Sequence, residues 1–459
     1  MNEERVQAAL RGATDTGNVT VSAGALTSVN ELFEQSFGGR AAVVVADGNT
    51  FEAAGRETQR VLQEAGRKLA EPYIFPGTPT LYAEYGNVEI LVEALREHDA
   101  IPVAVGSGTL NDIVKRAAYE CERPYLCVGT GASMDGYTAF GASIEKDYKK
   151  QTLTCPAPRA VLADVDVLVD APARMTASGY ADLLGKVTAG ADWLVADALG
   201  VEEIPPGVWS LVQDSLQEWT GRPAELREGD GGAMDGLIEG LVMSGLAMQA
   251  HQSSRPASGA EHQFSHLWEG EGLGRDQDPP LSHGFKVGVG SVAMAALFER
   301  VLARDLSALD VDAARFAWPG WAEAERRVRA AYSGSKLEEA AVGETKAKYL
   351  EADRLGERLE LLREVWPELR GKLEAQLMPA AELREQLRAA GCPTEPEEIG
   401  LTREEFKATY RRAQMLRKRY TVLDVANEAG ILDECVEELF APDGFWGRES
   451  ASASRGADR

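Results

Sequence analysis

The chain has 459 residues, enough for two or three domains with substantial cores. Its 44% hydrophobic content is that of a globular protein and excludes compositional disorder. Its 48 basic and 73 acidic residues give a formal charge of -25, which works against nonspecific binding to nucleic acid or an anionic membrane and leaves any phosphate-bearing ligand to be held by local groups.

Cys121, Cys127, Cys155, Cys392 and Cys435 have neither paired nor zinc-ribbon spacing and read as reduced thiols of a cytoplasmic protein. The opening MNEERVQAALRGA has no apolar secretory core. No uninterrupted apolar run reaches the roughly 18 residues of a membrane span, so no permanent membrane anchor is expected.

The first third alternates short apolar runs with helical stretches. Residues 41–50 read as a strand and polar turn, 51–68 as a helix, and 72–77 as a second strand. Helical periodicity over 84–98 gives way to a strand and turn at 101–109, a helix at 110–120 and another strand-to-loop passage at 124–133. VLADVDVLVD, at 161–170, reads as a last strand. Repeated units of this kind predict a mostly parallel sheet with helices on both faces, and ligands beyond the carboxyl ends of its strands.

From residue 174 the chain is helix-compatible, with a strongly apolar helix at 236–251 and another after His283. The expected organisation is a Rossmann-like α/β domain over 1–168 and an all-helical domain over 169–445. Within the latter, 320–445 is a charged helical extension, and 446–459 is a flexible tail.

Three loops offer groups for a dinucleotide. Gly106, Ser107, Gly108 and Thr109 lead into a helix, where glycines allow close approach and free N–H groups suit phosphate oxygens. Asp47 can accept from a ribose, and the loop 129–136 carries hydroxyl, amide and carboxylate groups. Ordinary turns and helix caps use the same residue types.

Three of the 5 histidines, His262, His266 and His283, fall close together in the sequence. His262 and His266 share a helix face at a spacing of four. With Asp182, two imidazoles would make a site for a catalytic divalent ion that keeps room for a substrate oxygen. On the residues alone, His262 and His266 could equally be a surface pair and Asp182 a cap.

Read together, VADGNT (45–50), AVGSGTLNDIVKRAA (104–118), GTGASMDGYTAFGA (129–142), ADVDVL (163–168), GYADLLGKVTAGADW (179–193), SRPASGAEHQFSH (254–266) and SHGFKVG (282–288) resemble the iron-containing alcohol dehydrogenase and dehydroquinate synthase superfamily. Within it they are most similar to the bacterial glycerol-1-phosphate dehydrogenases. The resemblance covers roughly residues 20–300.

It implies NAD or NADP lying between an α/β domain and a helical metal-binding domain. Asp47 would lie at the ribose, and Gly106, Ser107, Gly108, Thr109 and Asp112 around the phosphates. Thr130 and Ser133 would be further cofactor contacts. Asp182, His262 and His283 would hold one divalent metal ion, with zinc expected first and nickel as the alternative. Asp135 and His266 would face the substrate, and Lys286 would be a phosphate partner.

The implied reaction is reversible reduction of dihydroxyacetone phosphate to sn-glycerol 1-phosphate by a homodimer. A glycerol or other polyol dehydrogenase, a 3-dehydroquinate synthase, and an inactive structural or nucleotide-sensing protein are the alternatives.

Overall fold

The structure is a computed structural model and describes residues 2–146 and 149–447. Eight strands form: β1 (Asn18–Ser22), β2 (Ala42–Asp47), β3 (Tyr73–Phe75), β4 (Ile101–Gly106), β5 (Leu126–Gly129), β6 (Ala142–Lys146), β7 (Lys149–Leu153) and β8 (Ala160–Asp164). Six of them make one sheet in the order β1-β8-β5-β4-β2-β3, with every neighbouring pair parallel.

Residue chemistry explains why this sheet is covered on both sides. Along β2, Ala42, Val44 and Ala46 point into one core with Ile101, Val103 and Val105 of β4. Val43 and Val45 point into the other with Ala104, Cys127, Val161 and Ala163. Strands apolar on both faces must be sandwiched. The second core runs without interruption into the helical half and out to Leu355, Phe406 and Leu439 of the charged C-terminal region. From β2 the chain passes outward to β3 and then returns across β2 to β4, so the sheet order reverses between the carboxyl ends of β2 and β4. A crevice opens where the order reverses.

The fold class is as the sequence indicates, an α/β sheet domain followed by a mostly helical one, but four local features differ. NVTVS, too short and polar to stand out, becomes the edge strand β1 because β8 offers it a parallel partner from Ala160 to Asp164. The hairpin β6–β7 was not anticipated either. The stretch 161–170 is a strand only to Asp164, whose carboxylate accepts from Asp166 N at 3.1 Å and caps the helix Val165–Val169. The helix expected over 51–68 is a π-helical turn, Phe51–Gly55, running into the α-helix Arg56–Glu64.

The first helix, Glu3–Leu10, lies against the helix Gly231–His251 of the helical half, where Asn2 N donates to Glu239 Oε2 at 2.6 Å and Arg5 pairs with Glu239. The tail expected at 446–459 lies outside the described residues except for Trp446 and Gly447. Trp446 is buried, and its indole donates to Tyr410 Oη at 3.0 Å. Among the described residues no helix is long and apolar enough to cross a membrane.

The two halves meet closely at Gly179, in the helix Ala173–Leu184, where a Cβ would stand 2.0 Å from the backbone oxygen of Ala132. A backbone atom cannot rotate away as a side-chain tip can. Gly179→Ala is therefore expected to destabilise the protein by about 1–3 kcal/mol, as overpacking does. A lowered urea midpoint with an unchanged slope would register this, and a wild-type midpoint would contradict it.

Candidate active site and metal centre

The carboxyl ends of β2, β4 and β5 face the helical half across a cleft of about 1080 Å³. Asp47, Ser107, Gly108, Thr109, Asp112, Thr130, Ser133 and Asp135 line it from the sheet side. His262, His266, His283 and Lys286 line it from the helices. Gly106 and Asp182 lie behind the lining. Gly106 ends β4 and accepts from Thr130 N at 3.1 Å, which ties two of the cofactor loops together. At Gly108, the first residue of helix Gly108–Glu120, a Cβ would stand 2.8 Å from the Met134 side chain, so a larger residue there would have to displace the Met134 thioether.

Two sheet-side carboxylates carry structural bonds. Asp47 Oδ1 accepts from Asn49 N at 2.8 Å and Thr50 N at 2.9 Å, closing a helix cap. Asp112 Oδ2 accepts from Ser143 N at 3.1 Å, while its Oδ1 lies 3.5 Å from Lys115 Nζ, anchoring the β6–β7 hairpin.

The helical side concentrates charge. Asp182, fully buried, has ligand atoms within 4.8 Å of those of His262 and His283. His262 lies on the helix Ala260–Gly270, and His283 begins the helix His283–Leu302. Each imidazole is held by a carboxylate at its Nδ1, Glu261 Oε1 at 2.7 Å for His262 and Glu269 Oε1 at 2.8 Å for His283. That pairing fixes the ring and raises the basicity of the other nitrogen, as is usual behind metal-bound histidines. His262 Nε2 stands 3.5 Å from Asp182 Oδ1.

The titration behaviour follows from this packing. Burial alone would raise the Asp182 carboxyl, but Lys186, followed by His262 and His283, holds it well below the usual carboxylate range. Burial would likewise lower His262, yet its hydrogen bonds to Asp182 and Glu261 push it up to about 9. The buried carboxylates thus create a strong local demand for positive charge, and the oxygen and nitrogen donors suit a borderline divalent cation. Asp182, His262 and His283 fit a metal ion on these grounds.

Sequence reasoning missed two residues. Lys186 Nζ, fully buried, lies 2.8 Å from both Asp182 Oδ1 and Asp135 Oδ2. Asp135 also accepts from Ser244 Oγ at 2.8 Å, and its backbone N donates to Asp182 Oδ2 at 3.1 Å. The spacing of four between Asp182 and Lys186 was the available signal. Glu269 follows His262 and His266 at helical spacings of seven and three, on the face they share.

His266 is brought to the cleft too. Arg417 Nη2 lies 3.3 Å from its Nδ1. An arginine only donates, so Nδ1 is the acceptor and a neutral His266 carries its hydrogen on Nε2. Burial, with Arg417 second, holds His266 well below the ordinary imidazole value. Lys286 is buried, and its ammonium donates to the backbone oxygen of Leu281 at 3.2 Å.

Residues 20–172 match the family model described as iron-containing alcohol dehydrogenase. A glycerol-1-phosphate dehydrogenase [NAD(P)+] of Bacillus subtilis is 32% identical over 391 residues, covering 84% of this chain and 85% of that protein. The chain belongs to the iron-containing alcohol dehydrogenase family, in its glycerol-1-phosphate dehydrogenase branch. The Halalkalibacterium halodurans protein of the same name is 36% identical over 258 residues, and there the match spans 56% of this chain and 64% of the relative. Among solved structures of the family fold, glycerol dehydrogenase from Schizosaccharomyces pombe superposes with a TM-score of 0.58 at 17% identity, covering 93% of this chain and 91% of that one.

Lys186 is the cation shared by two carboxylates, so its loss should be felt in stability before it is felt in chemistry. Lys186→Met leaves Asp135 and Asp182 without a buried counter-ion, at an expected cost of about 3–5 kcal/mol. A saturating divalent cation should recover part of the lost melting temperature by supplying the missing charge. A melting temperature equal to wild type without metal would show that the ammonium carries no such role.

Proposed function

We propose that this chain is a metal-dependent, NAD(P)-linked sn-glycerol-1-phosphate dehydrogenase that reversibly reduces dihydroxyacetone phosphate. The observation that carries the reading is the convergence of three cofactor loops and a buried Asp–His–His donor set on one cleft. The names of the bacterial relatives support the substrate.

In this reading Ser107, Gly108 and Thr109 present the start of a 13-residue helix to the dinucleotide phosphates, where free amides suit anionic oxygens. Asp47 stands at the ribose and favours NAD over NADP, because a carboxylate repels the extra phosphate. Thr130 and Ser133 flank the nicotinamide side. Asp182, His262 and His283 hold the divalent ion, zinc in preference to nickel. When bound, the ion polarises the ketone oxygen, and the reduced nicotinamide supplies the hydride.

The chain's own residues do the positioning. Asp135, gripped by Lys186 and Ser244, sets the distance between the cofactor loop and the metal ligands. His266, neutral with its hydrogen on Nε2, offers a hydrogen bond to a substrate oxygen, and Lys286 contributes positive charge nearby. The balance of the reaction is ketone, reduced nicotinamide and one proton giving alcohol and oxidised nicotinamide. The protein acts as a cytoplasmic homodimer, which light scattering on the purified enzyme checks.

Chelation is expected to abolish turnover and a divalent metal to restore it, while Asp182→Ala and His262→Ala each lose metal in direct metal analysis. Full turnover by a metal-free preparation would reject the mechanism. The reconstituted enzyme should prefer dihydroxyacetone phosphate to dihydroxyacetone by roughly 10- to 150-fold in kcat/KM, the worth of a charge-assisted phosphate contact. It should yield sn-glycerol 1-phosphate on chiral analysis. Equal use of both ketones would favour a polyol dehydrogenase, and sn-glycerol 3-phosphate as product would defeat the assignment. Paired NADH and NADPH titrations test the cofactor order, which a strong NADPH preference would overturn.

A further inference from the structure

The stretch 271–282 joins the helices that carry the metal-binding histidines, Ala260–Gly270 and His283–Leu302, and it has a fixed stem and a projecting tip. Leu281 N donates to Gly274 O at 3.0 Å and closes the neck, while Leu273 N donates to Trp268 O at 2.9 Å. Gly272 and Gly274 take φ of +82° and +70°, the left-handed region that glycine enters without strain. A Cβ on Gly274 would stand 2.3 Å from that of Leu281, so the neck closes this tightly only on glycine. Two cations of the helical half hold the end that returns to His283. Arg174 Nη2 donates to Pro280 O at 3.1 Å, and Lys286 Nζ donates to Leu281 O at 3.2 Å.

Beyond the neck the tip leaves the helical half and crosses the mouth of the cleft. Arg275 Nη1 pairs with Glu145 Oε1 of β6 at 2.8 Å, and its guanidinium lies 5.6 Å from the centre of the Tyr82 ring. Asp278 Oδ1 accepts from Thr80 Oγ1 at 2.6 Å and from Thr80 N at 3.3 Å. The receiving surface is one unit, because Glu145 N donates to Ala83 O at 2.8 Å and Tyr82 Oη to Glu145 Oε2 at 3.3 Å. Thr80, Tyr82 and Ala83 line the cleft from the α/β half, and Gly272, Leu273 and Arg275 line it from the loop. The bonds between them therefore bridge the cavity from wall to wall.

The floor and the mouth of the cleft are joined by different means. At the floor the bonds are buried, with Lys186 between Asp135 and Asp182, and Ser178 Oγ donating to Ser133 O at 3.0 Å. At the mouth the bonds of Asp278 to Thr80 are exposed, and Arg275 is 36% exposed against 10% for Glu145. Exposed pairs hold weakly, so the mouth opens at far lower cost than the floor.

We propose that residues 275–280 form a flap over the dinucleotide, latched to the α/β half by Arg275 on Glu145 and Asp278 on Thr80, and that opening this latch sets how fast the dinucleotide leaves. The inference rests on the dehydrogenase reading above, which lays the dinucleotide across the carboxyl ends of β2, β4 and β5. The latch closes beside its ribose end, since Asn49, two residues beyond Asp47, donates from Nδ2 to Gly77 O at 2.9 Å in the loop that leads to Thr80. The tip lifts about the glycine neck while the stem stays with the helical half, so Glu269 and His283 keep their places. Release behind such a flap is a step that limits turnover in many enzymes.

Charge separates a latch from a direct ligand contact. Asp278 stands behind the cleft lining, of which Arg275 and Pro279 are part. A carboxylate near a bound dinucleotide repels its phosphates, so through electrostatics alone the loss of Asp278 would slow release. Through the latch the same loss speeds release. The two accounts predict opposite signs.

The test follows NADH leaving the full-length, metal-loaded enzyme by stopped-flow displacement with excess NAD, in wild type, Asp278→Ala and Arg275→Gln. Each variant should release NADH roughly two- to fivefold faster, the worth of one exposed charged contact. Metal content should stay at the wild-type value in both. Release from either variant at or below the wild-type rate overturns the latch, and an acceleration confined to Arg275→Gln means that Arg275 acts on the ligand itself. Faster release accompanied by loss of metal assigns the loop to the seating of His283 and overturns the flap as well. If wild type binds NADH but does not reduce dihydroxyacetone phosphate, the dehydrogenase reading fails, and the release rates still decide the latch. Wild type that binds no NADH overturns the flap outright.

Discussion

A lysine ammonium with no access to water is tolerated only when carboxylates surround it, and here Lys186 holds two at once. One, Asp182, belongs to the helical half, and the other, Asp135, to a loop that leaves the sheet. The backbone N–H of Asp135 closes the ring by donating to Asp182. The metal ligands and the cofactor loops are therefore joined through one buried cation, and a shift of either half would leave a charge unpaired in a dry interior. The glycine contacts at the same border serve the same end. Gly179 lets the helix bearing Asp182 lie against Ala132, and Gly284, next to His283, would place a Cβ 1.9 Å from Ser178 O.

Around that fixed point the imidazoles are arranged by two further carboxylates. Glu261 and Glu269 set the rings of His262 and His283 through their Nδ1 atoms. Glu261 is in turn held by Thr188 Oγ1 at 3.0 Å and by the backbone of Gly259 at 2.5 Å. A Cβ on Gly259 would stand 2.5 Å from Asp192 Oδ2, so glycine is what lets the chain turn into the His262 helix beside two buried acids. Burial, with Glu261 second, raises Asp192 to about 7. Its bonds to Ala260 N and Val422 N make this acid the joint between the metal-ligand helix and the C-terminal region.

The sequence showed most of what depends on periodicity and little of what depends on pairing. The strands over 42–47 and 101–106 are continuous apolar runs, and the residues at their carboxyl ends are those that line the cleft. The histidines were legible because they are rare, and Asp182 because the ordered motifs resemble a known family. β1 was not legible, since three polar residues in five carry no strand signal until β8 lies alongside. The end of β8 was misread because VDVLV is apolar enough for either state, and the choice was made by Asp164 capping the next turn. Lys186 and Arg417 are ordinary residues by composition. Only the fold shows that one is buried between acids and that the other is brought 151 positions along the chain to a histidine.

The placement of the first helix bears on how the molecule assembles when it is made from its amino end. Helix Glu3–Leu10 rests on Gly231–His251, and Asp15 and Thr16 donate their backbone N–H groups to Gln249 at 3.0 and 3.3 Å. Among the described residues β1 pairs only with β8. β1 thus has no strand partner until most of the sheet has been synthesised, and the first helix has no seat until the long apolar helix has followed. Contacts so distant in sequence form slowly and late. The sheet therefore gains its β1 edge only once β8 is present, and the first helix gains its seat only once Gly231–His251 has followed.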